Sequence, residues 1–337
     1  MHIPVGLIGA GRMGKVFAHT LAFNVPEVKL LAVADPDEGV GKEVAASHGI
    51  GRYYPDYHEL LAQKDIQAVV IASPTSTHVE VVKASAAAGK EIFCEKPLAN
   101  TLQGCDEAIA AAERCGVCLM VGFMRRYDSA YLLAKEKIAA GVIGDPVMFK
   151  AVGRDPKRTS LDFARREVSG GLILDMGIHD FDLARWLMES EVERVSSEGG
   201  CLVYPELSQV GDIDNAVVNL LFSNGAVGNV DVSRNAVYGY DIRTEVLGSQ
   251  GALLIGKSQF TPLLVLTQAG VTHDTVPYFM ERFAEAYAAE IRDFIDCVLA
   301  GREPGVTGED ARRATAIGLA GTLSLDERRP VLLSELK

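Results

Sequence analysis

From Ile3 to about Gly122, short apolar runs alternate with stretches of helical period. The runs are Ile3 to Ile8, Val28 to Ala34, Ala68 to Ala72, Glu91 to Cys94 and Val117 to Val121, with a weaker one near Tyr53. Between them, Met13 to Phe23, Gly39 to His48, His58 to Ala62, His78 to Ala88 and Leu102 to Arg114 carry helical patterns. A strand that is apolar throughout is buried on both faces, which a parallel sheet wrapped by helices provides. The pattern predicts a doubly wound α/β domain over residues 1–122.

After Gly122 the texture changes. A helix from about Ser129 to Ala140 leads through Gly141, Gly144, Asp145 and Pro146 into a strand-like run from Val147 to Val152. A second helical stretch, Gly171 to Met188, precedes β-type segments at Arg194 to Val203, Ala216 to Phe222, Val227 to Ser233, Arg243 to Leu247, Ala252 to Ile255 and Leu263 to Leu266. Asn224-Gly225 between two of them predicts a type I′ hairpin. Residues 123–337 therefore read as an α+β domain with a large, mostly antiparallel open sheet. The amphipathic stretches Met280 to Leu299 and Gly308 to Leu323 are expected to pack near the junction of the two domains.

A chain of 337 residues is long enough for about two domains. Its 48% hydrophobic and 23% charged residues are globular proportions, which excludes disorder as the main state. A net charge of −12 repels phosphate backbones and anionic lipid, so neither nucleic acid nor a membrane is expected as partner. Met1-His2-Ile3-Pro4 enters a strand pattern without a cationic lead, and no apolar run approaches the ~20 residues that span a bilayer. Six scattered cysteines (Cys94, Cys105, Cys115, Cys118, Cys201, Cys297) suit buried thiols in a reducing cytoplasm. Cys115 and Cys118 form a CxxC that no second Cys or His pair completes as a metal site.

Gly9-Ala10-Gly11-Arg12-Met13-Gly14 follows a strand and opens a helix, the context in which G-x-G-x-x-G carries weight. The first glycine permits the tight turn, the second lets backbone approach a pyrophosphate, and the third allows close helix–sheet packing. N–H groups at the helix start then hold the anion. Asp35 ends the next strand about 20 residues later, where its carboxylate would accept ribose hydroxyls. Asp35 and Asp37 would repel a 2′-phosphate, which favours NAD over NADP; Arg12 is the one dissenting cation and flanks the pyrophosphate in this reading. A glycine turn without ligand is the alternative.

Ligands of open α/β sheets bind beyond the carboxyl ends of the strands. The residues there are Ser73-Pro74-Thr75, Glu95-Lys96-Pro97 and Gly122-Phe123-Met124-Arg125-Arg126-Tyr127. An ammonium at Lys96 could stabilise a developing alkoxide, or Lys96 is a surface lysine paired with Glu95. Farther on, Asp175, His179 and Asp182 fall at i, i+4 and i+7 on one face of an otherwise buried, mostly apolar helix. Histidine can accept a proton near neutral pH, and a carboxylate one turn away can orient its charged form. A capped structural histidine and a divalent metal site are the other readings of this stripe.

Together these motifs resemble the glucose-fructose oxidoreductase, inositol dehydrogenase and rhizopine-catabolism family of sugar dehydrogenases, over nearly the whole chain. The resemblance rests on the glycine motif, Val33-Ala34-Asp35, Ser73-Pro74-Thr75-Ser76-Thr77-His78, Glu95-Lys96-Pro97 and the run Gly170 to Asp180 with Asp175 and His179. It implies a Rossmann domain followed by an open α+β sheet domain whose free face is often buried in a homodimer or homotetramer. The segments Gly122 to Asp128 and Tyr238-Gly239-Tyr240-Asp241 are most similar to myo-inositol 2-dehydrogenases. By resemblance, NAD is held by Gly9, Gly11, Arg12, Met13, Gly14, Asp35, Ser73, Pro74, Thr75, His78, Glu95 and Lys96. Lys96 is then the cation near the reacting hydroxyl, His179 the proton acceptor and Asp175 its partner. Arg126, Asp155, Asp182 and Tyr240 are the polyol contacts, with Asp155 standing where relatives tend to have Asn or another polar residue. The expected activity is NAD-dependent oxidation of a secondary hydroxyl of a cyclic polyol, myo-inositol to scyllo-inosose first, without metal. Another inositol isomer, an anhydrosugar or an aldose is the alternative substrate; an NAD-binding regulator without turnover is the reading of a different class.

Overall fold

The computed structural model describes residues 2–256 and 259–336. The chain forms two compact units, Met1–Tyr127 with Glu285–Thr315, and Asp128–Ala284 with Ala316–Lys337.

In the first unit, strands β1 (Ile3–Ile8), β2 (Val28–Ala34), β3 (Arg52–Tyr54), β4 (Ala68–Ile71), β5 (Glu91–Glu95) and β6 (Leu119–Gly122) form one sheet. Its order is β3-β2-β1-β4-β5-β6 and every pair is parallel. Helices α1 (Arg12–His19), α2 (Glu38–Ser47), α3 (Tyr57–Leu61), α4 (Thr75–Ala87) and α5 (Leu102–Cys115) make the crossovers. Asp37 caps α2 and Thr101 caps α5, which stops at Gly116 with φ +66°. The helix expected from Met13 to Phe23 ends at His19 and continues as a π-helical turn, Thr20–Asn24. Strand order reverses between β1 and β4, the switch point where such sheets bind ligands.

The second unit contains α6 (Ser129–Ala139), β7 (Pro146–Arg154), α7 (Leu161–Ala164), α8 (Arg166–Ser169), α9 (Gly171–Met188), β8 (Val192–Gly200), β9 (Asn215–Phe222), β10 (Val227–Ser233), β11 (Asp241–Gly248) and β12 (Ala252–Gly256). A small hairpin, β13 (Val265–Thr267) with β14 (Gly270–Thr272), follows. Helices α10 (Phe279–Ala300) and α11 (Gly308–Glu327) and strand β15 (Val331–Leu332) end the fold. The seven-stranded sheet has order β12-β11-β7-β10-β9-β8-β15, antiparallel throughout except for β7 beside β10. In β9, Ala216, Val218, Leu220 and Phe222 are buried while Val217 and Asn219 are exposed, so one face is covered and the other open. Helix α9 packs on the covered face against β7 and β10. A Cβ on Gly153 would lie 2.8 Å from Asp180 Oδ2, which explains how the helix comes so close.

Two expectations are corrected. The β9–β10 hairpin is not type I′: Gly225 N–H donates to the Phe222 carbonyl at 2.9 Å, Gly225 has φ +86°, and Asn224 does not have positive φ. This is a type I turn with a left-handed glycine bulge, which gives the twist that a type I turn alone lacks. Second, the closing helices do not all accompany the second half of the chain. Helix α10 departs from helical geometry at Phe283 (φ −120°), and residues from Glu285 belong to the first unit. There Tyr287 packs edge-on to Phe17 (5.8 Å) and Phe294 to Phe93 (5.9 Å), covering a sheet face that needs an apolar partner.

Candidate active site

In the first unit the glycine turn closes on β4. Gly9 has φ +96°, and a Cβ there would lie 2.6 Å from Ser73 N. A Cβ on Gly14 would lie 2.1 Å from the Gly9 carbonyl oxygen, so α1 can approach the strand only without one. A Cβ on Gly11 meets nothing within 4 Å, and no side chain caps α1. The first-turn N–H groups therefore front open space, as a pyrophosphate requires. Arg12 is exposed and Met13 half-buried at this helix start.

Asp35 is turned toward the same place. Its Oδ2 accepts the Ala10 N–H at 2.7 Å and its Oδ1 the Asp37 N–H at 2.8 Å. Each oxygen keeps a second lone pair for a ribose hydroxyl. Tyr53 donates to the Asp35 carbonyl at 2.9 Å, tying β3 to this corner. The residues present thus fit a dinucleotide.

Two loops follow β4 and β5. Ser73 Oγ and Thr77 Oγ1 are 2.7 Å apart, and Pro74 precedes the first residue of α4, Thr75. His78 lies below them, 1% exposed, with Nδ1 2.8 Å from the Pro97 carbonyl and Nε2 2.9 Å from the Ser73 carbonyl. Burial lowers its pKa while the two carbonyls oppose that shift. His78 thus links the two loops through the Pro97 and Ser73 carbonyls. The buried Glu95 carboxylate accepts the backbone N–H of the half-buried Lys96 at 2.8 Å, and the Lys96–Pro97 bond is cis. Arg126 lies in the 3₁₀ turn Met124–Tyr127, where Nη2 reaches Asp310 Oδ1 at 3.0 Å and Nη1 the Gly305 carbonyl at 3.3 Å. This engages the guanidinium with the returning segment.

In the second unit, Asp175, His179 and Asp182 occupy α9 at the spacing expected. Asp182 is 1% and His179 8% exposed; Asp175 is half-buried. Asp175 Oδ2 lies 3.4 Å from Nη2 of Arg234, whose other neighbour is Asp212 at 3.7 Å. Gly170, before α9, offers no cap; Asp212 Oδ1 instead accepts the Leu172 N–H at 2.8 Å. The Asp155 backbone pairs with Ser233 and Ala236, and Tyr278 Oη lies 3.4 Å from its Oδ2. Tyr240 is buried, its ring edge-on to Tyr278 (5.7 Å) and Phe283 (6.4 Å). Asp155, Tyr240 and Tyr278 are thus brought together. Among the described residues no three His, Cys, Asp or Glu side chains form a metal-holding group.

Sequence reasoning missed Arg234, Asp212 and Tyr278. Only Arg234 carried a signal, an arginine placed immediately after an apolar strand. Asp212 and Tyr278 sit in loops, where no periodicity marks them.

Residues 3–123 match an oxidoreductase family's NAD-binding Rossmann fold, and residues 135–333 match its C-terminal alpha/beta domain. The chain is 40% identical to scyllo-inositol 2-dehydrogenase (NAD(+)) of Bacillus subtilis (strain 168) over 331 residues, 98% of this chain and 96% of the relative. It is also 40% identical to myo-inositol 2-dehydrogenase of Thermotoga maritima over 333 residues, 98% of this chain and 99% of the relative. Among solved structures, scyllo-inositol dehydrogenase from Lactobacillus casei with bound NAD(H) and scyllo-inositol matches with TM-score 0.94 and 29% identity, covering 99% of this chain and 100% of that one. The nucleotide cradle, the two domains in order and the full-length similarity lead to one conclusion: the chain belongs to the GFO/IDH/MocA oxidoreductase family and is an NAD-dependent dehydrogenase.

Proposed function

We propose that this dehydrogenase oxidises a secondary hydroxyl of an inositol, with myo-inositol giving scyllo-inosose as the first reading. The observation that carries it is the Asp175, His179 and Asp182 stripe on a buried, mostly apolar helix, in a chain 40% identical to two inositol 2-dehydrogenases. Polar groups buried at such cost call for partners or a ligand.

In this reading NAD, held by the glycine turn, Asp35 and the loops after β4 and β5, supplies the hydride acceptor when bound. His179 takes the hydroxyl proton on a ring nitrogen, and Asp175 stabilises the imidazolium that results. The Lys96 ammonium stabilises the oxygen as negative charge develops on it. Asp155, Asp182 and Tyr240 bind the remaining hydroxyls; the bonds of Arg126 to Asp310 and Gly305 support a positioning role for it instead.

A second reading, scyllo-inositol as substrate, is favoured by the names of the Bacillus subtilis and Lactobacillus casei relatives. Both isomers yield the same ketone, and they differ in whether the reacting hydroxyl is axial or equatorial. Purified protein with NAD+ should form NADH with one or both. Turnover of an aldose but neither inositol would replace this reading, and NAD binding without turnover of any polyol would favour a regulator.

Assembly as a homodimer or homotetramer is proposed through the open face of the seven-stranded sheet, where Val217 and Val227 are exposed. Cytoplasmic residence is proposed from the cysteines, all six of them free thiols. No helix of the described residues is long and apolar enough to cross a membrane.

A further inference from the structure

Arg234 immediately follows β10 and is 2% exposed. Its backbone N–H donates to the Asp214 carbonyl at 2.9 Å, which fixes the start of the side chain. The guanidinium Nη2 lies 3.4 Å from Asp175 Oδ2 and 3.7 Å from Asp212 Oδ2. Asp212 is equally buried, and its other oxygen holds the Leu172 N–H in the first turn of α9. One cation therefore serves two carboxylates from different elements. From α9, Asp175 faces it, with His179 and Asp182 farther along the same helix. From the loop before β9 come Asp212 and Asp214, but the Asp214 carboxylate is turned to the N–H groups of Leu202, Val203 and Tyr204.

A buried carboxylate with a second carboxylate nearby ionises less readily without a cation. Burial and the Asp175 charge raise the Asp212 pKa, and Arg234 with the Leu172 N–H opposes them. Removing the guanidinium would take away the charge that opposes the rise in the Asp212 pKa. It would also remove the contact that Arg234 makes with the Asp175 side chain.

We propose that Arg234 is a positioning residue for proton transfer: it holds the Asp175 carboxylate oriented on the α9 face that carries His179, and Asp212 ties that arrangement to the helix start. The inference rests on the proton-transfer role proposed for Asp175 and His179.

The experiment compares Arg234→Met, Arg234→Lys, the double variant Arg234→Met with Asp212→Asn, and Asp175→Asn. The double variant keeps an oxygen for the Leu172 N–H while removing the like charge, so it remains informative if Arg234→Met does not fold. Rates are measured against pH with NAD+ and whichever of myo- and scyllo-inositol the wild type oxidises, and Asp175 ionisation is followed by difference infrared spectroscopy. Without the guanidinium, kcat should fall roughly tenfold or more near pH 7 with KM for the polyol little changed. In Arg234→Met the acid limb should move up, because the Asp212 carboxyl loses the cation that opposes the rise in its pKa. NAD binding should be unaffected, and Arg234→Lys should recover most of the rate. A folded Arg234→Met with the wild-type pH profile, or a folded double variant with the wild-type kcat, beside an inactive Asp175→Asn, overturns the role of Arg234. An Asp175→Asn protein with the wild-type rate overturns the underlying reading, and this inference with it.

Discussion

Glu290 lies wholly buried on α10, and neither of its carboxyl oxygens has a hydrogen-bond partner. One turn later Phe294 sits on Phe93, and Glu95 follows Phe93 on the same face of β5, so the two acids occupy one apolar layer. Burial, and then the Glu95 charge, push the Glu290 carboxyl well above its ordinary 4.5. The folded chain therefore keeps a proton that the unfolded chain has lost, and stability falls as pH rises from 4.5 through the folded value. Glu290→Gln keeps the volume and cannot ionise. It should raise Tm over wild type at about pH 8 and lose that advantage near pH 4; a difference independent of pH would show another cause. At Asp35, the bonds to Ala10 and Asp37 leave acceptor capacity that Asp35→Ala removes, together with a repulsive charge. NAD should bind more weakly in that variant and NADP be less disfavoured, as calorimetric titration of both would reveal. Tighter binding of NADP than NAD by the wild type would contradict the role assigned to this acid. His179→Ala should cost the ~10²- to 10⁴-fold in rate that general-base loss brings, with NAD affinity near normal. Retention of most of the rate would return His179 to a structural role.

At the scale of elements, the β9–β10 turn separates two geometries by experiment. A type I′ turn needs positive φ at both central residues, whereas here only Gly225 has it and Asn224 contributes a side-chain bond to the Ala226 N–H at 3.0 Å. Gly225→Ala should therefore destabilise the protein by about 1–2 kcal/mol, the cost of a left-handed alanine. Asn224→Ala should cost about 1 kcal/mol or less, the value of one hydrogen bond. Denaturant melts read both, and a larger loss at Asn224 would argue for the I′ geometry. Helix α9 illustrates the converse. Its ends, its apolar surface and its polar stripe all follow from the local pattern, and the observed Gly171–Met188 coincides with the expected range. What the pattern omits is how the helix begins: two successive positive-φ glycines and a cap from Asp212, which is remote in sequence.

For the molecule as a whole, the open face of the seven-stranded sheet bears on assembly. Val217 and Val227 are 41% and 43% exposed there, alongside the Arg154–Asp231 ion pair. Light scattering at micromolar concentration should find a dimer or tetramer. Val217→Lys, at the centre of that face, should shift the population toward monomer with little change in far-ultraviolet dichroism. A wild-type monomer would remove the proposed interface.

Local sequence determined most of the strands and helices because burial on two faces, burial on one face and helical amphipathicity each leave their own period in the chain. It also determined the nucleotide cradle: backbone geometry requires glycine at Gly9 and Gly14, Gly11 leaves open space, and the Asp35 carboxylate accepts the Ala10 N–H, all within a single strand–helix–strand unit. Tertiary structure alone decided the rest. The return of residues 285–315 to the first unit depends on Phe17 and Phe93 meeting Tyr287 and Phe294, a match between surfaces far apart in sequence. The support of His78 beneath two loops, the engagement of Arg126 by Asp310, and the sharing of Arg234 between Asp175 and Asp212 are likewise non-local. A buried charge takes its partner from whichever element packing brings beside it, and no period in the sequence records that choice.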